Sequence, residues 1–370
     1  MFFRLALRIL LRSCIIDCSN FRFVSMFYRT YCNILKSFSL GNSLFASALI
    51  RGCNDLKLLV TGGTGFVGSQ VCQQALYQGW EVACQYRNHP PKQDKIELFK
   101  LDVGSSTDWS ESLRGVDCIV HCAARVHQMH DEHTSPLDAY REVNTKGTIN
   151  LALQAAQAGV KRLIFLSSVK VNGEFTEAGK PFTSKVEGAP SDPYGLSKFE
   201  AEKELHVIAK KTGLEIVIIR PPLVYGPGVK ANFLTLLKVV KLGLPLPLGS
   251  IKNTRSLVFI ENLVDLILEC AVNPDAKGHT FLASDEKSVS TPELLKCIAA
   301  SMSKRYWVIP FPSAMLKLTA SLVGKSDIVE RLTGNLEVDP TQTFDVLSWK
   351  PPVSFEDGIK KTVNQFVLEQ

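Results

Sequence analysis

The sequence predicts a doubly wound α/β protein: a parallel sheet with a smaller C-terminal α/β lobe. Three observations predict it. Short, continuous apolar runs recur along the chain, as strands buried on both faces do. Amphipathic helical patterns alternate with them, which makes successive strands parallel. At 370 residues and 45% hydrophobic content, the chain is long enough for one large domain or two coupled ones. The predicted strands are Leu58–Val60, Glu81–Tyr86, Ile96–Leu101, Cys118–Cys122, Leu163–Leu166 and Glu215–Ile219, with helices over Val143–Ala158 and Lys198–Lys210. From about residue 285, helical patterns (Thr291–Ser301, Ala314–Leu322) alternate with proline-bounded loops. The expected division is a doubly wound domain over 55–285 and a smaller lobe over 286–370, to which 173–193 and 226–255 contribute.

Residues 1–54 stand outside that division. They hold seven basic side chains and one acid, which is the whole net charge of +6; residues 55–370 carry 35 of each sign. A neutral body gives no electrostatic footprint for nucleic acid. Arg4, Arg8 and Arg12 recur every four residues among Phe2, Leu5, Leu7, Ile9, Leu10 and Leu11. Three readings stand: an extension outside the fold, a peripheral membrane contact through residues 1–25, or organelle targeting. No apolar run reaches the length of a transmembrane helix. The ten cysteines are dispersed with no CxxC pair, as reduced core residues of a cytoplasmic protein are.

The strand at Leu58–Val60 runs directly into Thr61-Gly62-Gly63-Thr64-Gly65-Phe66-Val67-Gly68, and Val71, Cys72 and Ala75 then follow at helical spacing. Glycines at 62, 65 and 68 permit a tight turn, close approach to a pyrophosphate and close helix–strand packing. The helix N-terminus aims its N–H groups at the phosphates. Where an NAD site places an acid, after the second strand, this chain has Gln85-Tyr86-Arg87-Asn88. Arg87 suits a ribose 2′-phosphate, so NADP(H) is favoured and NAD(H) is the alternative.

Of eight tyrosines, Tyr194 has a lysine four residues on, Lys198, on the same helical face. The ammonium is expected to draw the phenol toward its ionised form. Ser168 ends the strand at 163–166, where its hydroxyl can reach the same substrate oxygen or simply cap the strand. His121, His127, His130 and His133 cluster with Asp131 and Glu132; their spacing fits no standard zinc site, and a polar loop lining the cleft is expected, with no metal.

Together the glycine loop, Asp102-Val103, His121-Cys122-Ala123-Ala124, Asn144, Ser168 and Tyr194-Gly195-Leu196-Ser197-Lys198 resemble an extended short-chain dehydrogenase/reductase over residues 55–370. The resemblance implies a Rossmann fold and a Ser168/Tyr194/Lys198 triad, with Lys198 also on the nicotinamide ribose. It assigns Gly62, Gly65, Phe66, Val67 and Gly68 to the pyrophosphate, Asp102-Val103 to the adenine, Ala123 to the cofactor and Asn144 to active-site support.

The stretch from Arg220 to Phe233, RPPLVYGPGVKANF, with GLPLPLGS after it, resembles nucleotide-sugar enzymes. The resemblance implies a UDP-sugar held by Asn232, Phe233 and Arg255, with Ser168 and Tyr194 at the sugar. It implies either a reductase acting on the C4 ketone of a UDP-4-keto-6-deoxy-N-acetylhexosamine in surface-polysaccharide synthesis, or a UDP-glucose or UDP-N-acetylglucosamine 4-epimerase. Further alternatives are a 3β-hydroxysteroid-type reductase and a non-catalytic dinucleotide sensor. Ser168 is followed by Val169-Lys170 rather than by the two acids that the family's dehydratases carry, which argues against a 4,6-dehydratase. Surface helices of the C-terminal lobe are expected to pair two subunits.

Overall fold

The computed structural model describes residues 56–126 except Lys92, then 136–312, 315–316 and 326–369. The 1–54 extension, most of Ala314–Leu322 and His127, His130 and His133 lie outside the described residues, so the expectations placed on them are not addressed.

Seven parallel strands form one sheet in the order β3-β2-β1-β4-β5-β6-β9. These are β1 (Lys57–Thr61), β2 (Glu81–Tyr86), β3 (Ile96–Lys100), β4 (Cys118–His121), β5 (Arg162–Leu166), β6 (Glu215–Arg220) and β9 (Thr280–Leu282). β7 (Leu223–Tyr225) and β8 (Leu257–Phe259) form a separate parallel pair. The strand order reverses between β1 and β4, where a ligand finds a crevice beyond the strands' carboxyl ends. The predicted fold class and the six predicted strands are borne out; β7, β8 and β9, three residues each, carry too little pattern to read from the sequence.

Period-two alternation divides the core between the two faces. Leu58, Val60, Cys84, Val120, Ile164 and Val217 pack on one face with α1 (Phe66–Tyr77) and α6 (Ile260–Val272). Leu59, Ala83, Ile119, Leu163, Phe165 and Ile218 pack on the other with α3 (Gly147–Gln157) and α4 (Pro193–Thr212). Arg162 braces the amino ends of β5 and β6, pairing with Glu215 at 2.7 Å and donating from Nη1 to the carbonyls of Cys270, Ala271 and Asn273 at the end of α6.

Two helices differ from expectation. The single helix over Val143–Ala158 is α2 (Pro136–Tyr140), a π-helical turn (Arg141–Lys146) and then α3. A π turn inserts an extra residue and marks functional positions, and here it buries Asn144. α4 begins at Pro193, five residues before the predicted start, because Asp192 caps it: the Gly195 N–H donates to Asp192 Oδ2 at 2.8 Å.

Beyond β7 lies α5 (Ala231–Lys241), and after β9 come α7 (Thr291–Ser301), α8 (Ser326–Thr333), α9 (Thr341–Leu347) and α10 (Phe355–Leu368). Single bridges join Phe182 to Val338, Leu246 to Val308, and Arg255 to both Val289 and Leu336. Among the described residues no helix is long and apolar enough to cross a membrane.

Candidate active site

The glycine loop leaves β1 at Thr61 and enters α1 at Phe66. Gly62 has φ +65°, and a methyl group there would stand 2.9 Å from the Ala123 backbone; one at Gly68 would meet the Gly62 carbonyl at 2.3 Å. Only glycine permits both the turn and the approach. Neither capping side chain nor acid occupies the first turn of α1, so its N–H groups remain directed at the crevice beside Phe66 and Val67. A tight glycine cradle opening an uncapped helix N-terminus fits a dinucleotide pyrophosphate. Gln85, which stands where an acid is usual, locks this loop. Its Oε1 accepts from Gly62 N–H at 2.8 Å, and its Nε2 donates to the Leu101 carbonyl, joining the ends of β1, β2 and β3.

Arg87 sits one residue past β2 with its side chain exposed. Asp102 and Val103 follow β3; Asp102 is exposed and Val103 packs on Gly147. All of these lie at the carboxyl edge of the sheet.

His121 is the last residue of β4 and is fully buried, so it belongs to no loop lining a cleft, which corrects the expectation drawn from the histidine cluster. Thr148 Oγ1 donates to the Asn144 carbonyl, so its oxygen accepts from His121 Nε2–H at 2.9 Å, and Nδ1 accepts from Thr61 Oγ1 at 2.6 Å. A neutral ring with its proton on Nε2 satisfies both contacts. Burial and then the Lys198 charge push its pKa down to about 3. Among the described residues no group of three or more His, Cys, Asp and Glu side chains is arranged to hold a metal ion.

Asn144 is fully buried and spans two elements. It accepts from Arg125 N–H at 2.8 Å and donates to the Arg125 carbonyl and to Ser197 Oγ, both at 3.0 Å. Ser197 Oγ in turn donates to the Tyr194 carbonyl at 2.8 Å. The loop after β4 and the first turn of α4 are thus fixed to one another through Asn144.

Ser168, Tyr194 and Lys198 gather at the end of β5. Lys198 is buried, donates to the Leu166 carbonyl at 2.9 Å and lies 4.4 Å over the Phe165 ring. Burial pulls its pKa down to about 8, against the smaller opposing pull of Cys122 and Glu202. Ser168 Oγ accepts from Lys170 N–H at 3.2 Å, so it is a cap, and its own proton remains to be donated. Lys170 pairs with Asp192 at 3.1 Å, and its carbonyl approaches Gly195 so closely that a methyl group there would stand 2.6 Å away. That contact presses the Ser168 turn against the start of α4, beside Tyr194.

The expected lowering of the Tyr194 phenol is not what the structure shows. Its pKa is pushed up to about 12, first by burial and then by the carboxylate of Asp192 and by Tyr140, whose ring lies edge-on at 6.0 Å. The i,i+4 spacing does place Lys198 on the same helix, but its ammonium is turned to the Leu166 carbonyl. Tyr194 is consequently a neutral proton donor at ordinary pH.

Asn232 and Phe233 open α5. Asn232 is exposed, whereas the Phe233 ring is fully buried and stacked on Tyr225 at 5.4 Å, so the ring serves packing. Arg255 donates from Nη1 to the carbonyls of Arg331 (2.8 Å) and Gly334 (3.1 Å). Among the described residues, no hydrogen bond joins these three to Ser168, Tyr194 or Lys198.

Behind the triad is a buried polar network that the sequence reading missed. Glu202, one turn beyond Lys198, accepts from Ser167 Oγ and from Arg220 Nε (3.0 Å) and Nη2. Arg220 Nη1 reaches Asn172 Oδ1 at 3.1 Å and the Ser184 carbonyl at 3.0 Å. Asn172 Nδ2 donates to the carbonyls of Thr183 and Lys185. Asn172 is thus the bracket that holds the 172–185 loop. A carboxylate on the buried side of α4 was the available signal.

Residues 58–283 match the NAD dependent epimerase/dehydratase family. The chain belongs to that family. It is 49% identical over 313 residues to a UDP-glucose 4-epimerase from Vibrio cholerae, covering 84% of this chain and 95% of that protein. It is 27% identical to an N-acetyl-alpha-D-glucosaminyl-diphospho-ditrans,octacis-undecaprenol 4-epimerase from Escherichia coli O157:H7, covering 84% and 95%. Its fold is similar to the crystal structure of UDP-glucuronic acid 4-epimerase from Bacillus cereus in complex with NAD, with a TM-score of 0.68 at 20% identity, covering 85% of this chain and 99% of that one. The family resemblance read from the sequence is borne out.

Proposed function

We propose that this chain is a nucleotide-sugar 4-epimerase that retains its dinucleotide through turnover, with Ser168, Tyr194 and Lys198 as catalytic residues. The observation that carries the reading is the 49% identity to the Vibrio cholerae UDP-glucose 4-epimerase across 95% of that protein. A nicotinamide dinucleotide, when bound, supplies a reversible hydride acceptor for C4 of the sugar.

The remaining work falls to side chains. Gly62, Gly65 and Gly68, with the N–H groups of Phe66 and Val67, hold the pyrophosphate; Asp102 and Val103 flank the adenine, and Ala123 closes against the loop. Oxidation at C4 needs Tyr194 as the phenolate, which takes the proton of the C4 hydroxyl as hydride leaves C4 and returns it to the C4 oxygen when the ketone is reduced; burial holds the resting group as the phenol, so the deprotonated form is the one that starts turnover. Ser168 donates to the same oxygen. Lys198 fixes a positive charge at the end of β5, which favours the phenolate whenever Tyr194 has given up its proton, and it holds the nicotinamide ribose. Asn144 positions the helix start that carries Tyr194. Arg255 and Asn232 face the diphosphate of the substrate, with Phe233 setting the pitch of α5. The bridges from 182 and 255 to 336–338 support a substrate lobe built from 173–193, 226–255 and the C-terminal part.

A second reading rests on Arg87, exposed one residue past β2 where a 2′-phosphate would lie. It favours NADP(H) and exchange of the cofactor at each turnover, hence a C4 reductase of a UDP-4-keto-6-deoxy-N-acetylhexosamine. One experiment separates the two. The full chain is incubated with UDP-glucose or UDP-N-acetylglucosamine without added dinucleotide, and in parallel with UDP-4-keto-6-deoxy-N-acetylglucosamine and NADPH. C4 epimers in the first tubes support the epimerase; stoichiometric NADPH loss in the second, with no epimers, establishes the reductase.

A further inference from the structure

One surface carries apolar side chains and positive charge together. Leu246 and Val308 are bridged, with Leu246 N–H donating to the Trp307 carbonyl at 3.0 Å, Ile309 N–H to the Leu246 carbonyl at 2.9 Å and Gly249 N–H to the Ile309 carbonyl at 3.1 Å. The chain after α5 and the chain after α7 therefore run side by side. Leu246 and Val308 turn inward onto the core, and strand alternation turns their neighbours outward. Leu242, Leu244, Trp307 and Ile309 are each more than half exposed, and Pro245, Pro247 and Pro310 are exposed between them. Monomeric surfaces rarely gather large apolar side chains in this way without a partner.

The chain segments that build this patch carry basic side chains and no acids. No Asp or Glu occurs from residue 216 to 260 or from 294 to 326, although residues 55–370 as a whole are neutral. Lys238, Lys241, Lys252, Lys304 and Arg305 are all exposed in those stretches. An exposed tryptophan and leucines ringed by lysine and arginine are what an anionic bilayer surface attracts, through burial of apolar area at the headgroups and through its negative potential. A second copy of the chain fits less well, because a two-fold contact would set this basic rim against itself. We propose that the face formed by residues 238–249 and 304–310 docks on an anionic lipid bilayer.

The molecule has its own reporter. Of four tryptophans, Trp80, Trp109 and Trp349 are at most 4% exposed and Trp307 is 56% exposed. Emission of the full chain is followed as vesicles of phosphatidylcholine mixed with phosphatidylglycerol are added, with phosphatidylcholine alone as the comparison. The expected result is a blue shift and quenching by bromine-labelled acyl chains with the anionic vesicles only, reversed by salt. Replacing Lys304 and Arg305 together by Gln should lower the partition coefficient about thirtyfold. Leu244→Ser, at an exposed position that leaves the fold alone, should weaken it further. Trp307 emission that ignores vesicles overturns the proposal even if the chain floats with them, since binding would then run through residues 1–54. A shift that follows protein concentration without lipid, with doubled mass, overturns it in favour of a contact between copies.

Discussion

Replacing Glu202 by glutamine removes one charge from a pair that water barely reaches: Glu202 is 3% and Arg220 4% exposed. Arg220 then keeps its two neutral partners, Asn172 Oδ1 and the Ser184 carbonyl, but loses the carboxylate that accepted from both Nε and Nη2. An uncompensated buried guanidinium costs about 3–5 kcal/mol, far above the value of a surface ion pair. The consequence extends to the site, because Ser167, which also donates to Glu202, lies between the Leu166 carbonyl bound by Lys198 and Ser168 itself. Glu202→Gln should therefore lower the urea midpoint by an amount equivalent to about 3–5 kcal/mol and lower kcat more than it raises KM. The paired change Glu202→Leu with Arg220→Met should recover most of the stability, since no charge is then stranded. If Glu202→Gln unfolds within about 0.5 kcal/mol of the parent, the pair carries no such energy and the reasoning fails.

Tyr194→Phe should lower turnover by about a hundredfold or more with dinucleotide affinity nearly intact, measured by steady-state rates and by titration of the dinucleotide. The buried neutral His121 should make the fold acid-sensitive: between about pH 6.5 and pH 3 the unfolded chain binds a proton the folded ring does not, so stability falls as pH falls through that window, by up to about 1.4 kcal/mol per pH unit, and His121→Gln should flatten that part of the curve. The lowered pKa of Lys198 acts at the other end: its burial cost is fully present below about pH 8 and fades as pH rises toward 10.5, so Lys198→Met should remove a stability gain across that interval. Gly62→Ala places a methyl group 2.9 Å from the Ala123 backbone at a positive φ; it should cost about 1–3 kcal/mol in unfolding and weaken dinucleotide binding, and calorimetry with and without NAD checks both.

The parallel strands were legible because burial on both faces writes an uninterrupted apolar run, and Leu58–Val60 and Leu163–Leu166 show it plainly. The glycine loop was legible because its chemistry is backbone chemistry, local to eight residues. Contacts between distant segments were not. Glu202 and Arg220 are 18 residues apart and on different elements, and neither residue alone announces a buried pair. Gln85 looked like the absence of an acid, while in the structure it is the bolt of the nucleotide loop. His121 read as one of a loop cluster because spacing in sequence resembles proximity, whereas β4 carries it inside. Tyr194 and Lys198 were found by their spacing, yet the direction of the phenol's shift depended on Asp192, Tyr140 and where the ammonium points. Periodicity reports faces and not partners.

Hydride transfer within one retained complex is tested most directly with UDP-glucose carrying deuterium at C4. The full chain, without added dinucleotide, should form the C4 epimer with deuterium still at C4 and none passed to free cofactor. Deuterium appearing on added NAD or NADP, or an epimer carrying solvent hydrogen at C4, would contradict it.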